Sequence, residues 1–133
     1  MTEMIKVLLV EPMEKPRVIE IERDLDTFHE LVGGYLQAVY PWGSSCALIC
    51  DDDGKGKGYL PNRALVDENG IPYDIVVGSF FICGISGEDF ASLTDEQVQK
   101  HTELFRWPEL FFETEEGVMW LKLKPGEKPR QIL

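Results

Sequence analysis

Apolar and polar residues alternate along this chain in two distinct rhythms. From Met4 to Val10 every residue but Lys6 is apolar, the pattern of a strand covered on most of both faces. Pro12 and Pro16 punctuate a turn, and Val18 to Glu22 then sets Ile19 and Ile21 against Glu20 and Glu22, as in a half-buried strand returning along the first. The rhythm next turns helical. Thr27 and Glu30 have the spacing of a capping box, Phe28, Leu31 and Val32 fall on one helical face, and Gly33 or Gly34 offers the left-handed residue that ends a helix. Tyr35 to Tyr40 and Ser45 to Cys50 predict two more strands about the turn Pro41-Trp42-Gly43.

The second half opens with a polar, glycine-rich turn from Asp51 to Gly58 and the block Leu60-Pro61-Asn62-Arg63-Ala64, read as a loop braced by its Asn. Asp67-Glu68-Asn69-Gly70 is another turn, and Tyr73 to Ile85 is a long strand-forming run broken at Gly78. Thr94 and Gln97 form a second capping box, with Leu93 and Val98 placed as a hydrophobic staple. That helix is expected to run to about Phe105, with Pro108 opening a further turn from Glu109 to Phe112. Val118 to Lys124 alternates and reads as a terminal strand or arm. The fold class expected is α+β: a small mixed sheet of about five or six strands, an early short helix and a C-terminal acidic helix, with a ubiquitin-like β-grasp the arrangement this order suggests. One domain is expected over residues 1–133, comprising a sheet with its short helix (1–87), an acidic helical segment (88–116) and a terminal strand or arm (117–133).

Charge changes this picture. The 133 residues carry a formal net charge of −11, which argues against direct contact with phosphate backbones, since a nucleic-acid reader needs a basic face. Residues 88–116 hold nine acids against two bases, whereas residues 117–133 hold one acid against four bases. Apolar runs fall far short of the roughly 18 residues of a membrane span, and Cys46, Cys50 and Cys83 are odd in number and lie in strand-like runs. Buried free thiols in a cytoplasmic protein are the expectation.

Candidate chemistry is sparse. Asp51-Asp52-Asp53-Gly54 lacks the alternating oxygens and final Glu of a calcium loop, and Gly54-Lys55-Gly56-Lys57-Gly58 lacks the hydroxyl residue and helix of a phosphate cradle. Cys46 and Cys50, about 13 Å apart on an extended strand at roughly 3.3 Å per residue, are too distant to share a zinc ion. No metal, cofactor or catalytic residue is assigned. Arg63 offers a planar fork for a carboxylate or phosphate, either an internal partner such as Asp67 or Asp74 or an anionic ligand. Trp42, Trp107 and Trp120 are either core or interface residues.

The blocks Val32-Gly33-Gly34, Leu60-Pro61-Asn62-Arg63 and Ile75-Val76-Val77-Gly78 resemble, in that order, an uncharacterised family of small proteins from bacterial plasmids, conjugative elements and phages. The resemblance runs from about Met4 to about Phe112 and implies a mobile-element setting and a small fold, without implying a reaction. Together with the charge it suggests a non-enzymatic binding protein that meets a basic, nucleic-acid-handling host protein through Asp95, Glu96, Glu103, Trp107 and Glu109, in the manner of an inhibitor of a CRISPR or restriction nuclease. The alternative is a small-ligand module, for instance one that binds or sequesters a nucleotide, built on Gly33, Gly34, Asn62 and Arg63.

Overall fold

A computed structural model describes residues 3–132. Its centre is an antiparallel sheet in the order β2-β1-β7-β4-β3, formed by β1 (Met4–Val10), β2 (Arg17–Glu22), β3 (Leu36–Val39), β4 (Cys46–Asp51) and β7 (Phe80–Ser86). A short strand β8 (Asp89–Ala91) adds to β7 beyond the end of β1. Both faces of this sheet are covered, which is why β4 is buried at every position and why β1, β4 and β7 read as nearly continuous apolar runs.

Side-chain alternation along β1 divides the core in two. Ile5, Val7 and Leu9 join Ala47, Ile49 and Phe81 under helix α1 (Leu25–Val32), which contributes Phe28 and Val32. Leu8 and Val10 join Leu48, Phe80 and Ile82 on the opposite face. That face is covered by the hairpin β5–β6 (Pro61–Val66 and Pro72–Val77), through Leu65 and Val76, and by helix α2 (Asp95–Leu104) with its flanks Leu93 and Phe105. A third sheet, β9 (Glu109–Thr114), β10 (Gly117–Lys122) and β11 (Arg130–Gln131), follows α2 and meets the β5–β6 hairpin through β9.

Several expectations are corrected. The protein is predominantly sheet, every strand pairing among the described residues is antiparallel, and the mixed, β-grasp-like sheet is not what forms. Short hairpin links enforce antiparallel pairing in β1–β2, β3–β4, β5–β6, β7–β8 and β9–β10, and β7 enters between β1 and β4 antiparallel to both. Pro61 to Ala64 of the Leu60 to Ala64 block is strand, not loop, and the run from Tyr73 to Ile85 is two strands in different sheets. Gly78, at φ +74°, makes the break. The acidic segment 88–116 is helical only at its centre, because β8 precedes α2 and Glu109 to Phe112 extends into β9.

Helix α1 starts earlier than Thr27. Asp24 is its N-cap, with its carboxylate accepting the Thr27 amide at 2.7 Å. This hydrogen bond holds the Asp24 carboxyl below its ordinary range. Gly33, at φ +94°, ends the helix as anticipated. The Thr94–Gln97 capping box of α2 forms in full. No helix among the described residues is long and apolar enough to cross a membrane.

Candidate functional site

Two consecutive polar residues are taken into the interior where the β5–β6 pairing slips between Pro61 and Arg63. Asn62 and Arg63 are fully buried. The Asn62 Nδ2 donates to the carbonyls of Val10 (3.0 Å) and Gly78 (2.8 Å), fastening β5 to the end of β1 and to the bend before β7. Arg63 spends its whole fork on the protein. Nε and Nη2 donate to the Phe105 carbonyl (3.2 and 3.0 Å), Nη2 also to Glu14 O (2.7 Å), and Nη1 to the Asn62 Oδ1 (2.8 Å). Its acidic neighbour is Glu109, with Oε2 3.8 Å from Nε. The expected partners are otherwise engaged, Asp74 with Lys55 and Asp67 with the amides of Asn69 and Ile71.

Glu109 joins the C-terminal sheet to this knot. Its Oε1 accepts the Ala64 amide at 2.9 Å and the Trp120 indole N–H at 2.6 Å. Burial pushes the Glu109 carboxyl up, against the opposing pull of these donors and of Arg63. Burial likewise holds Arg63 below its ordinary value. Both shifts reflect the same physics, a charge pair removed from water whose desolvation competes with its attraction.

Above the knot lies a cleft of about 530 Å³, with Glu109 and Trp120 in its wall and Trp42, Leu65, Tyr73, Leu104 and Phe105 supplying apolar surface. This is the size range of small-ligand pockets. Lys100 from α2 and Lys122 from β10 reach its rim, and among the described residues neither forms an ion pair, although Lys6, Lys55 and Lys57 each do. Trp120 is capped on its ring by Lys122 (5.8 Å) and Arg130 (5.3 Å), whereas Trp42 is half-buried and Tyr73 is exposed. Behind Trp42 sits His101, buried, with ring centroids 4.3 Å apart.

The residues expected to form an acidic partner face lie in different settings. Glu109 is buried, with its side chain 3% exposed, because its carboxylate serves β5 and Trp120. Asp95 and Glu96 are exposed at the start of α2, with Asp95 paired to Lys6 at 2.8 Å. Glu103 is exposed and lies 3.9 Å from Arg106, and Arg106 in turn lies over the half-buried Trp107 ring. The residues of the alternative ligand site do not assemble either. Gly33 borders a groove with Tyr59, Leu60 and Gly78, and Asn62 and Arg63 are committed elsewhere.

The three sequence blocks converge on a structural corner. A Cβ on Gly33 would stand 2.7 Å from the Tyr59 hydroxyl oxygen, and one on Gly78 would stand 2.6 Å from the Tyr59 ring. Beside them, Gly34 backs onto the Asp51–Lys57 pair (2.7 Å). That pairing draws Lys57 up; at Asp51 burial pushes the carboxyl up, but Lys57, the Asp53 amide and Tyr59 together hold it down.

Residues 5–106 match the domain of unknown function DUF3846. The chain belongs to the DUF3846 family. No curated protein and no solved structure is similar enough to register as a match. The DUF3846 region contains Trp42, Tyr73 and Lys100 but ends at Arg106, so Glu109, Trp120 and Lys122 reach the cleft from outside it. The cleft is therefore bounded on one side by the DUF3846 domain and on the other by the C-terminal sheet. In the sequence Trp42 and Trp120 read only as core or interface residues, and no local pattern brings Tyr73 or Lys122 to a common site. Lys100 carried a faint signal as the one lysine or arginine within α2. Among the described residues of this DUF3846 protein no three His, Cys, Asp or Glu side chains are grouped to hold a metal ion, and the three cysteines are free and buried.

Proposed function

We propose that this protein is a binding module whose working site is the cleft between α2, the β5–β6 hairpin and the C-terminal sheet. The observation that carries this reading is the cleft's composition, with apolar and aromatic walls and two lysines that take no ion pair among the described residues of a chain with a net charge of −11. Concave apolar surface with a few polar groups is the usual make-up of a small-ligand site. The resemblance of the sequence blocks to proteins of plasmids, conjugative elements and phages supports a mobile-element setting, where such a module would bind or sequester a host metabolite. A thermal-shift screen of nucleotides, nucleosides, sugar phosphates and aromatic acids tests it, because a ligand for the folded state raises the melting temperature by mass action. Hits are expected to shift the NMR signals of Trp42, Leu104 and Lys122. A panel with no compound mapping to those residues would refute the reading.

A second reading is favoured by the net charge itself. Exposed carboxylates, Asp95, Glu96 and Glu103 on α2 and Glu113, Glu115 and Glu116 at the β9–β10 turn, would meet a basic, nucleic-acid-handling host protein, as an anti-defence inhibitor does. Such binding weakens steeply with salt. Charge reversal at Glu96, Glu103 and Glu115 is expected to abolish it while the cleft's ligands still bind.

A further inference from the structure

We infer that the cleft takes a flat ring system carrying a phosphate, of the nucleoside monophosphate class. This rests on the binding reading above and narrows it. The charge pattern gives the anionic half. In a protein so rich in carboxylates, long-range repulsion acts against any anion. Lys6, Lys55 and Lys57 form ion pairs at 2.7–2.8 Å, whereas Lys15, Lys100, Lys122, Lys124 and Lys128 form none among the described residues, so it is the convergence of two of them on one cleft that matters. Lys100 and Lys122 converge on the same cleft from different elements, α2 and β10, and are left free of ion pairs among the described residues. An ammonium on a flexible stem suits phosphate as a point charge.

The ring half follows from the tryptophans and Tyr73. Trp120 is 6% exposed and has cations over its ring. Trp42 and Tyr73 are the aromatic residues lining the cleft that retain exposed surface, Tyr73 at 58%. Stacking of a base on an aromatic side chain contributes about 1–3 kcal/mol. The acids of the rim have compatible roles. Asp67 uses Oδ1 within its own turn, through the amides of Asn69 and Ile71, and Glu68 is exposed beside it, an acceptor for ribose hydroxyls or ring amino groups. A volume of about 530 Å³ admits one nucleotide.

Titration calorimetry with AMP, GMP, adenosine and inorganic phosphate, on the full chain, tests the inference. A monophosphate is expected to bind at least about tenfold more tightly than its nucleoside, and the K100Q/K122Q double variant to remove that advantage while keeping nucleoside affinity within about twofold. Trp42→Leu is expected to weaken AMP and adenosine alike. Equal affinity of AMP and adenosine, or AMP binding untouched by K100Q/K122Q, overturns the phosphate contact. Inorganic phosphate competing as well as AMP overturns the ring contact. If neither nucleotides nor adenosine bind while another compound class maps to Trp42 and Lys122, this inference falls and the binding reading stands. If nothing maps there, both fall.

Discussion

Arg63 and Glu109 lie 3.8 Å apart in the interior, their side chains 0% and 3% exposed, and between them they join three parts of the fold. Arg63 holds the carbonyls after α2 and before β2, at Phe105 and Glu14, while Glu109 holds β5 to β10 through Ala64 and Trp120. The pair is better understood as a register device than as a source of net stability, because desolvation opposes both charges.

Arg63→Ala is therefore expected to destabilise the protein by about 3–5 kcal/mol in urea unfolding, since it leaves Glu109 charged and several buried carbonyls without donors. Arg63→Lys should recover little of this, because one ammonium cannot satisfy acceptors held by a planar fork. A loss under about 1 kcal/mol for Arg63→Ala would show that the knot is dispensable.

How much of this was legible in sequence depends on the range of the interaction. The α2 cap, the α1 stop at Gly33, and the strands β1, β2, β4 and β10 are specified by neighbours within a few residues, and sequence placed them. The start of α1 slipped because Asp24 and Thr27 offer competing caps three residues apart. Arg63 and Glu109 could not be paired from sequence because they are brought together by β9 docking on β5, and a carboxylate after Pro108 looks the same exposed or buried. The charge of residues 88–116 likewise suggests one acidic helix, whereas its acids are divided among β8, α2, β9 and two turns. The cleft depends on elements meeting across sequence separations that no local pattern encodes.

Gly58 and Gly78 share a φ of +74°, but a Cβ on Gly58 meets nothing within 4 Å whereas one on Gly78 strikes the Tyr59 ring. Both Gly→Ala changes carry the left-handed penalty of about 1–2 kcal/mol. Gly78→Ala should exceed Gly58→Ala by a further margin that shrinks when Tyr59 is replaced by Ala, as a double-mutant cycle would measure. Equal losses at the two glycines would show that the Tyr59 contact is easily relieved.

The cysteines are expected to be inert in the folded protein. Burial pushes the Cys50 thiol up to about 11 and Cys83 to about 12, and also raises Cys46, and the thiolate is the reactive form. A disulfide reagent at pH 8 should label all three in denaturant and none of them on the same timescale without it. Rapid labelling of native protein would indicate that β4 or β7 opens readily.

His101 gives the protein an acid-sensitive point. It is 1% exposed, its Nδ1 has no hydrogen-bond partner among the described residues, and burial, with a smaller effect of Lys100, lowers its pKa from 6.5 to about 4. The folded state therefore binds this proton less readily than the unfolded state. Stability from neutral His101 is present above the unfolded value, declines as pH falls below it, and is fully lost below about 4. The difference amounts to about 3 kcal/mol between pH 7 and pH 4. Glu109 has a raised pKa and acts in the opposite sense, gaining stability on protonation, while Asp24, Asp51 and Asp95, held low, lose stability in the same direction as His101, so the wild-type curve alone mixes all of these groups. The contrast with His101→Phe isolates the imidazole, because the replacement keeps an aromatic ring against Trp42 and removes the titration. Stability of the variant should fall less between pH 7 and pH 4 by about that amount, measured by urea unfolding at each pH. Parallel curves for the two proteins would mean that His101 gains its proton without resistance and that the packing against Trp42 opens to water.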